Sequence, residues 1–98
     1  MKISVEMPAV ETCSVNDCAY NVDTHCHARA ITVGDGIHPG CDTFLQSSRH
    51  TRSGPSAAGV GACKVEACRY NDDYECGADA IQVGHRDASI NCLTFEAR

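Results

Sequence analysis

One pattern of residues occurs twice in this chain, and it limits the fold more than any other feature. Shifting the sequence by fifty positions puts Cys13 on Cys63, Cys18 on Cys68 and Cys26 on Cys76. Between Cys13 and Gly34, 12 of 22 positions are then identical, among them Val15/Val65, Tyr20/Tyr70, Asn21/Asn71, Asp23/Asp73, Ile31/Ile81 and Val33/Val83. Beyond Gly34 and Gly84 the offset grows by one, and Cys41-Asp42-Thr43-Phe44 falls on Cys92-Leu93-Thr94-Phe95. A repeat at a fixed period means one structural unit used twice. Each copy holds four of the 8 cysteines, and none is left over.

The repeat divides the 98 residues into a lead-in (1–12), a first unit (13–45), a linker (46–62), a second unit (63–95) and a tail (96–98). Units below roughly 40 residues seldom bury enough apolar surface to fold without a cross-link, a metal or a partner. The first unit offers only Val15, Tyr20, Val22, Ile31, Val33, Ile37, Phe44 and Leu45 to a core. Within each unit the pattern is that of strands and turns. Ala28 to Val33 alternates, with Ala28 and Ala30 on one face and Ile31 and Val33 on the other. Gly34, Gly36, Pro39 and Gly40 mark a hairpin loop, with Cys41 to Phe44, including Thr43, as its return arm. Tyr20-Asn21-Val22-Asp23 reads as a turn. Ile3, Val5 and Met7 alternate with polar residues and suit either a short edge strand or a frayed tail. The segment from Gln46 to Gly59 has linker composition, and its basic cluster Arg49, His50, Arg52 reads as solvated. The expected fold is small, mostly β and loop-rich. It comprises two tandem zinc-ribbon-like hairpin modules, stabilised by metal and related by an approximate two-fold axis. They pack through Ile31, Val33, Ile81, Val83 and the phenylalanines.

The cysteines are the expected source of the missing stability. One site would take Cys13, Cys18, Cys26 and Cys41, the other Cys63, Cys68, Cys76 and Cys92. Zn²⁺ suits four thiolates in a tetrahedron, and such a closed site leaves no position for substrate. Bound zinc contributes folding free energy directly. Two Zn²⁺ per chain are therefore expected, and the recurrence of the four-cysteine array in both copies strengthens that reading. Two disulfides per repeat, an iron–sulfur cluster and reactive thiols remain as alternatives. The spacings match neither familiar ferredoxin run, and no C-x-x-C motif occurs. His25 and His27 flank Cys26, yet Glu75 and Gly77 stand at their places in the second copy. They are expected to be solvent-exposed, with a weaker extra site as the alternative; His38, His50 and His85 read as loop or linker residues. Asn21 and Asn71 are expected to hold a turn, and Tyr20 and Tyr70 to serve as core or interface aromatics. Tyr74 and Leu93 are expected to widen the apolar surface of the second copy.

The net charge of −5 disfavours nucleic acid and anionic membranes. The N-terminal residues lack the apolar core of a secretory signal, and no stretch approaches the ~20 apolar residues of a spanning helix. A cytoplasmic setting is expected, where thiols stay reduced. No Ser/His/Asp set, catalytic carboxylate pair or phosphate-cradling loop stands out, so no enzymatic activity is expected.

Several runs carry a resemblance. Met7-Pro8, Cys18-Ala19-Tyr20-Asn21, His25-Cys26-His27-Ala28, Ala30-Ile31-Thr32-Val33 and Cys41-Asp42-Thr43-Phe44 resemble bacterial proteins of domain of unknown function family 1540. Val60-Gly61-Ala62-Cys63, Glu75-Cys76 and Cys92-Leu93-Thr94-Phe95 do so as well. The tandem form is similar to the version found in actinobacteria. The resemblance implies metal binding through four cysteines per repeat, and all eight positions match; it implies no reaction. Together these readings predict a non-catalytic zinc protein that presents a surface to another protein. Metal storage or buffering is one alternative, and a disulfide-stabilised small protein is another.

Overall fold

A computed structural model of the chain describes residues 7–35, 38–52, 57–86 and 89–98. The described residues form strands, turns and irregular loops, with no helix among them. No helix long and apolar enough to cross a membrane is therefore present among the described residues, which says nothing of strands. The strands are β1 (Ala9–Cys13), β2 (Asn21–Val22), β3 (His25–Cys26), β4 (Ala30–Asp35) and β5 (His38–Cys41) in the first half. Their counterparts are β6 (Gly59–Cys63), β7 (Asn71–Asp72), β8 (Glu75–Cys76), β9 (Ala80–Arg86) and β10 (Ser89–Cys92).

Six strands close one barrel in the order β1-β6-β4-β5-β10-β9, and β9 pairs back onto β1. Exchanging the two repeats maps this order onto itself. The repeats do not sit side by side, however; they trade strands. The first strand of repeat one, β1, runs parallel to β9 of repeat two, with Val10 opposite Ile81 and Cys13 opposite Val83. In the same way β6 of repeat two runs parallel to β4 of repeat one, with Val60 opposite Ile31 and Cys63 opposite Val33. Each three-stranded half of the barrel therefore contains strands of both repeats. The halves meet at two thin seams, Ala9 opposite Gly59 and Gly40 opposite Asn91.

An irregularity in β1 decides where the first cysteine points. Strict alternation would place Val10 and Thr12 on one face. The register shifts between Val10 and Thr12, so that Glu11 is the extra residue. Val10 and Cys13 then both face inward, at 1% and 6% exposure, while Glu11 and Thr12 face solvent. The same shift in the β4–β6 pairing makes Gly61 the extra residue and turns Val60 and Cys63 inward.

The core collects Val10, Val15, Ile31, Val33, Val60, Val65, Ile81 and Val83 with most of the cysteines, and Tyr20, Phe44, Tyr70 and Phe95 pack against it. Several expectations are corrected. Leu45 lies 53% exposed, since the chain turns outward after Phe44. The hairpin's return arm is His38–Cys41, earlier than Cys41 to Phe44, and Thr43 sits in the following turn, where its hydroxyl accepts the Thr32 N–H at 3.1 Å. Thr94 does the same for Gln82 at 3.0 Å. Ile3, Val5, Gly36 and Ile37 lie outside the described residues, and Met7 is not part of a strand. The stretch expected as a linker supplies β6 at its end, and Gln46 bridges to Cys18. At the C-terminus, Ala97 bridges to Cys68 in the matching way.

Candidate metal centre

The local fold around each cysteine set begins with a miniature hairpin. β2 and β3 pair Val22 with His25, which leaves Asp23 and Thr24 as a two-residue turn. Both have positive φ, 54° and 64°, as a type I′ turn requires. Asp73 and Tyr74 repeat this at 54° and 65°. The turn carbonyl of Thr24 accepts the Cys13 N–H at 2.9 Å, and that of Tyr74 accepts the Cys63 N–H at 2.9 Å. Asn21, buried, donates from Nδ2 to the Cys13 carbonyl at 2.7 Å; Asn71 donates to the Cys63 carbonyl at 2.9 Å. Each asparagine therefore does more than hold a turn. It ties the miniature hairpin to the strand that carries the first cysteine.

Four elements then deliver four thiols. Cys13 ends β1, Cys18 lies in the turn that follows, Cys26 ends β3 and Cys41 ends β5. All four line one small cavity of about 20 Å³, together with Val10, Val15 and Ile31. Cys63, Cys68, Cys76 and Cys92 line a second cavity of about 20 Å³. That is room for one atom-sized guest. The walls come partly from the opposite repeat: Val83 and Ile90 face the first set, Val33 and Pro39 the second. These cross-repeat walls were not foreseen, because nothing in one repeat's sequence signals the exchange of strands.

Burial raises four of the thiols above their ordinary range. Burial pushes the Cys41 thiol up to about 11 from an ordinary 9.0, although the Thr43 and Phe44 backbone N–H groups draw it down; Cys26 and Cys13 nearby raise it further. Cys92 is pushed up to about 11, again chiefly by burial, with Cys76 and Cys68 as its charged neighbours. Cys26 and Cys76 are raised for the same reason, and the Ala28 and Ala78 N–H groups oppose the shift. Each thiol thus lies within the field of its set. Backbone N–H groups already aim at four of the sulfurs, as thiolate ligands require. All eight cysteines are free.

The donor set, its enclosure and its size fit a soft dication. Yet among the described residues no group of three or more His, Cys, Asp or Glu is arranged to hold a metal ion as the side chains lie. The sulfurs of each set nonetheless share one cavity. His25 is exposed, with Nδ1 2.8 Å from the Asp23 carbonyl, and His27 is half-buried with its ring outside the thiol cavity. His38, His50 and His85 are exposed.

No curated protein and no solved structure matches the chain. The sequence profile of one family does match, over residues 12–53 and 62–95, and these two segments together cover more than half of the chain. They coincide with the two thiol sets and the strands that carry them. The chain therefore belongs to the Domain of Unknown Function (DUF1540) family and holds that domain twice in tandem.

Proposed function

We propose that the chain is a non-catalytic zinc protein whose two four-thiolate sites stabilise one interlocked barrel, which then presents its outer surface to another protein. One observation carries the reading: each set of four thiols lines one atom-sized cavity, with backbone N–H groups directed at two of its sulfurs. In each repeat the end of the first strand, the turn after it, the miniature hairpin and the longer hairpin each supply one cysteine to the proposed site. When bound, Zn²⁺ would supply the attraction that turns four neutral thiols into thiolates. The chain's own residues supply the rest. Asn21 and Asn71 fix the first ligands, the Thr43, Phe44, Thr94 and Phe95 N–H groups stabilise charge on the last, and the valines exclude water. A reducing cytoplasm, as in bacteria, suits eight free thiols.

Storage or buffering is a weaker reading, because each cavity is walled by core residues and releasing metal would expose them. Native mass spectrometry before and after chelation, with circular dichroism alongside, is the test. Two Zn²⁺ per chain and loss of the fold on chelation are expected. Uptake should weaken as pH falls, because metal must displace protons from thiols held above their ordinary range. Metal that leaves while the fold survives would turn the reading to storage. A mass lower by eight hydrogens without metal would replace it with four disulfides.

A further inference from the structure

We propose that the groove beside Tyr20 is a docking site for an acidic segment of another protein, seated by a carboxylate on the Tyr20 hydroxyl. The second repeat displays the contact. There Tyr70 donates its hydroxyl to Glu96 Oε2 at 3.2 Å, and Arg69 Nη1 meets Glu96 Oε1 at 2.8 Å. The Arg69 guanidinium lies 5.8 Å from the Tyr70 ring centre. Among the described residues this is the one ion pair.

The first repeat keeps the tyrosine and lacks both charged groups. Ala19 stands at the place of Arg69 and Leu45 at the place of Glu96. Among the described residues the Tyr20 hydroxyl meets no partner. These smaller or apolar residues leave an open groove of about 620 Å³ along Ala19, Tyr20 and Leu45. The segment after Leu45 lines the groove with Arg49, His50 and Arg52. An adjoining hollow of about 320 Å³ adds Arg29 and His27, and Tyr20 and Thr51 line both. Among the described residues neither hollow is lined by an Asp or Glu, on a chain whose net charge is −5. The cations missing from position 19 are thus resupplied by the segment after Leu45, while the carboxylate is not.

Arg49, His50 and Arg52, gathered in a groove that no described Asp or Glu lines, steer an anion to one place on an acidic protein. The tyrosine of the sister repeat selects a carboxylate, and the exposed Leu45 offers an apolar contact beside it. A glutamate with a neighbouring aliphatic residue, in an extended segment, fits both. A single-stranded nucleic acid would find a single aromatic ring, Tyr20, for its bases to stack on.

This names the partner for the interaction surface proposed above and rests on that reading. The test uses the full metal-loaded chain and a fluorescein-labelled, blocked peptide of sequence Gly-Glu-Glu-Leu-Glu-Glu-Gly, followed by anisotropy and amide chemical shifts. Shifts confined to residues 19–20, 45 and 49–52 are expected. A drop in affinity of about tenfold or more is expected for Arg49→Ala with Arg52→Ala, and for Leu45→Glu, which gives repeat one its own carboxylate. Tyr70→Phe should leave binding unchanged. Circular dichroism on each variant verifies the fold. Equal binding by Leu45→Glu, shifts spread over the second repeat, tighter binding of a thymidine oligonucleotide of the same charge, or no binding at millimolar peptide would each overturn the proposal. If the peptide fails while two metals and the fold are present, the groove falls and the zinc module stands. If the folded chain carries no metal, the module reading falls while the peptide titration still decides the groove.

Discussion

The two repeats agree inside the barrel and differ outside it. Cysteines, asparagines, inward valines and isoleucines and the positive-φ turn residues occupy matching places in both. The surface around the conserved tyrosine does not match. Repeat two closes it with Arg69 and Glu96 and latches it with Arg98, whose Nε donates to the Glu66 carbonyl at 2.7 Å and whose Nη2 donates to the Asn71 carbonyl. Repeat one leaves the same place open and basic. The difference separates what the fold demands from what is left for recognition. Most positions that line the thiol cavity match between the copies, with Pro39 against Ile90 as an exception, while positions one layer out have diverged.

The strongest way to break this comparison is to remove one thiol from either repeat. Cys26→Ser and Cys76→Ser should cost about the same, on the order of ~5 kcal/mol or more. Each should abolish the single unfolding transition of the whole chain, because both three-stranded halves contain strands of both repeats. A calorimetric scan in which one variant keeps a half-sized transition would show that the repeats fold apart.

A smaller effect sharpens an asymmetry inside the barrel. Gly34 has φ 68°, and a Cβ there would collide with the His38 carbonyl and the Val65 side chain. Gly84 has ordinary φ, and its added Cβ would meet the Ser14 hydroxyl at 2.5 Å and Leu93 Cδ1 at 3.0 Å, both free to swing aside. Gly34→Ala should therefore cost about 3 kcal/mol or more, from left-handed strain and overpacking together. Gly84→Ala should cost less than about 2 kcal/mol. Equal losses in urea titration would refute the distinction.

The smallest effect is a gain. Thr24 and Tyr74 hold a left-handed conformation that suits neither side chain. Replacing Asp23-Thr24 by Asn-Gly should stabilise the chain by about 1 kcal/mol, since that pair suits a type I′ turn. The matching change at Asp73-Tyr74 should gain less, because it forfeits the Tyr74 hydroxyl bond to Glu66 Oε1 at 2.6 Å. A larger rise in melting temperature for the second replacement would contradict the account.

Much of this was legible in the sequence. The fifty-residue offset located both cysteine sets and the alternation at Ile31 and Val33, because local spacing determines which side chains share a face. The exchange of β1 and β6 was not legible. Gly59-Val60-Gly61-Ala62-Cys63 has too few large side chains to announce a strand, and its partner β4 lies about thirty residues earlier. The inward turn of Cys13 was hidden as well, since it depends on one extra residue, Glu11, against a partner strand from the far half. The C-terminal Ala97-Arg98 read as a tail because its contact, Cys68 and its neighbours, is also remote in sequence.

The traded strands bear on how the protein is made. A ribosome releases the first repeat while β9 and β10, which wall its thiol cavity through Val83 and Ile90, are still to be translated. Domains generally fold as units during synthesis, but here neither repeat is finished until β10 of the second has emerged. The first four cysteines must wait, uncovered, for the second four. Protection of nascent thiols from oxidation and from stray metal thus falls to the surroundings during that interval, and to the barrel only afterwards.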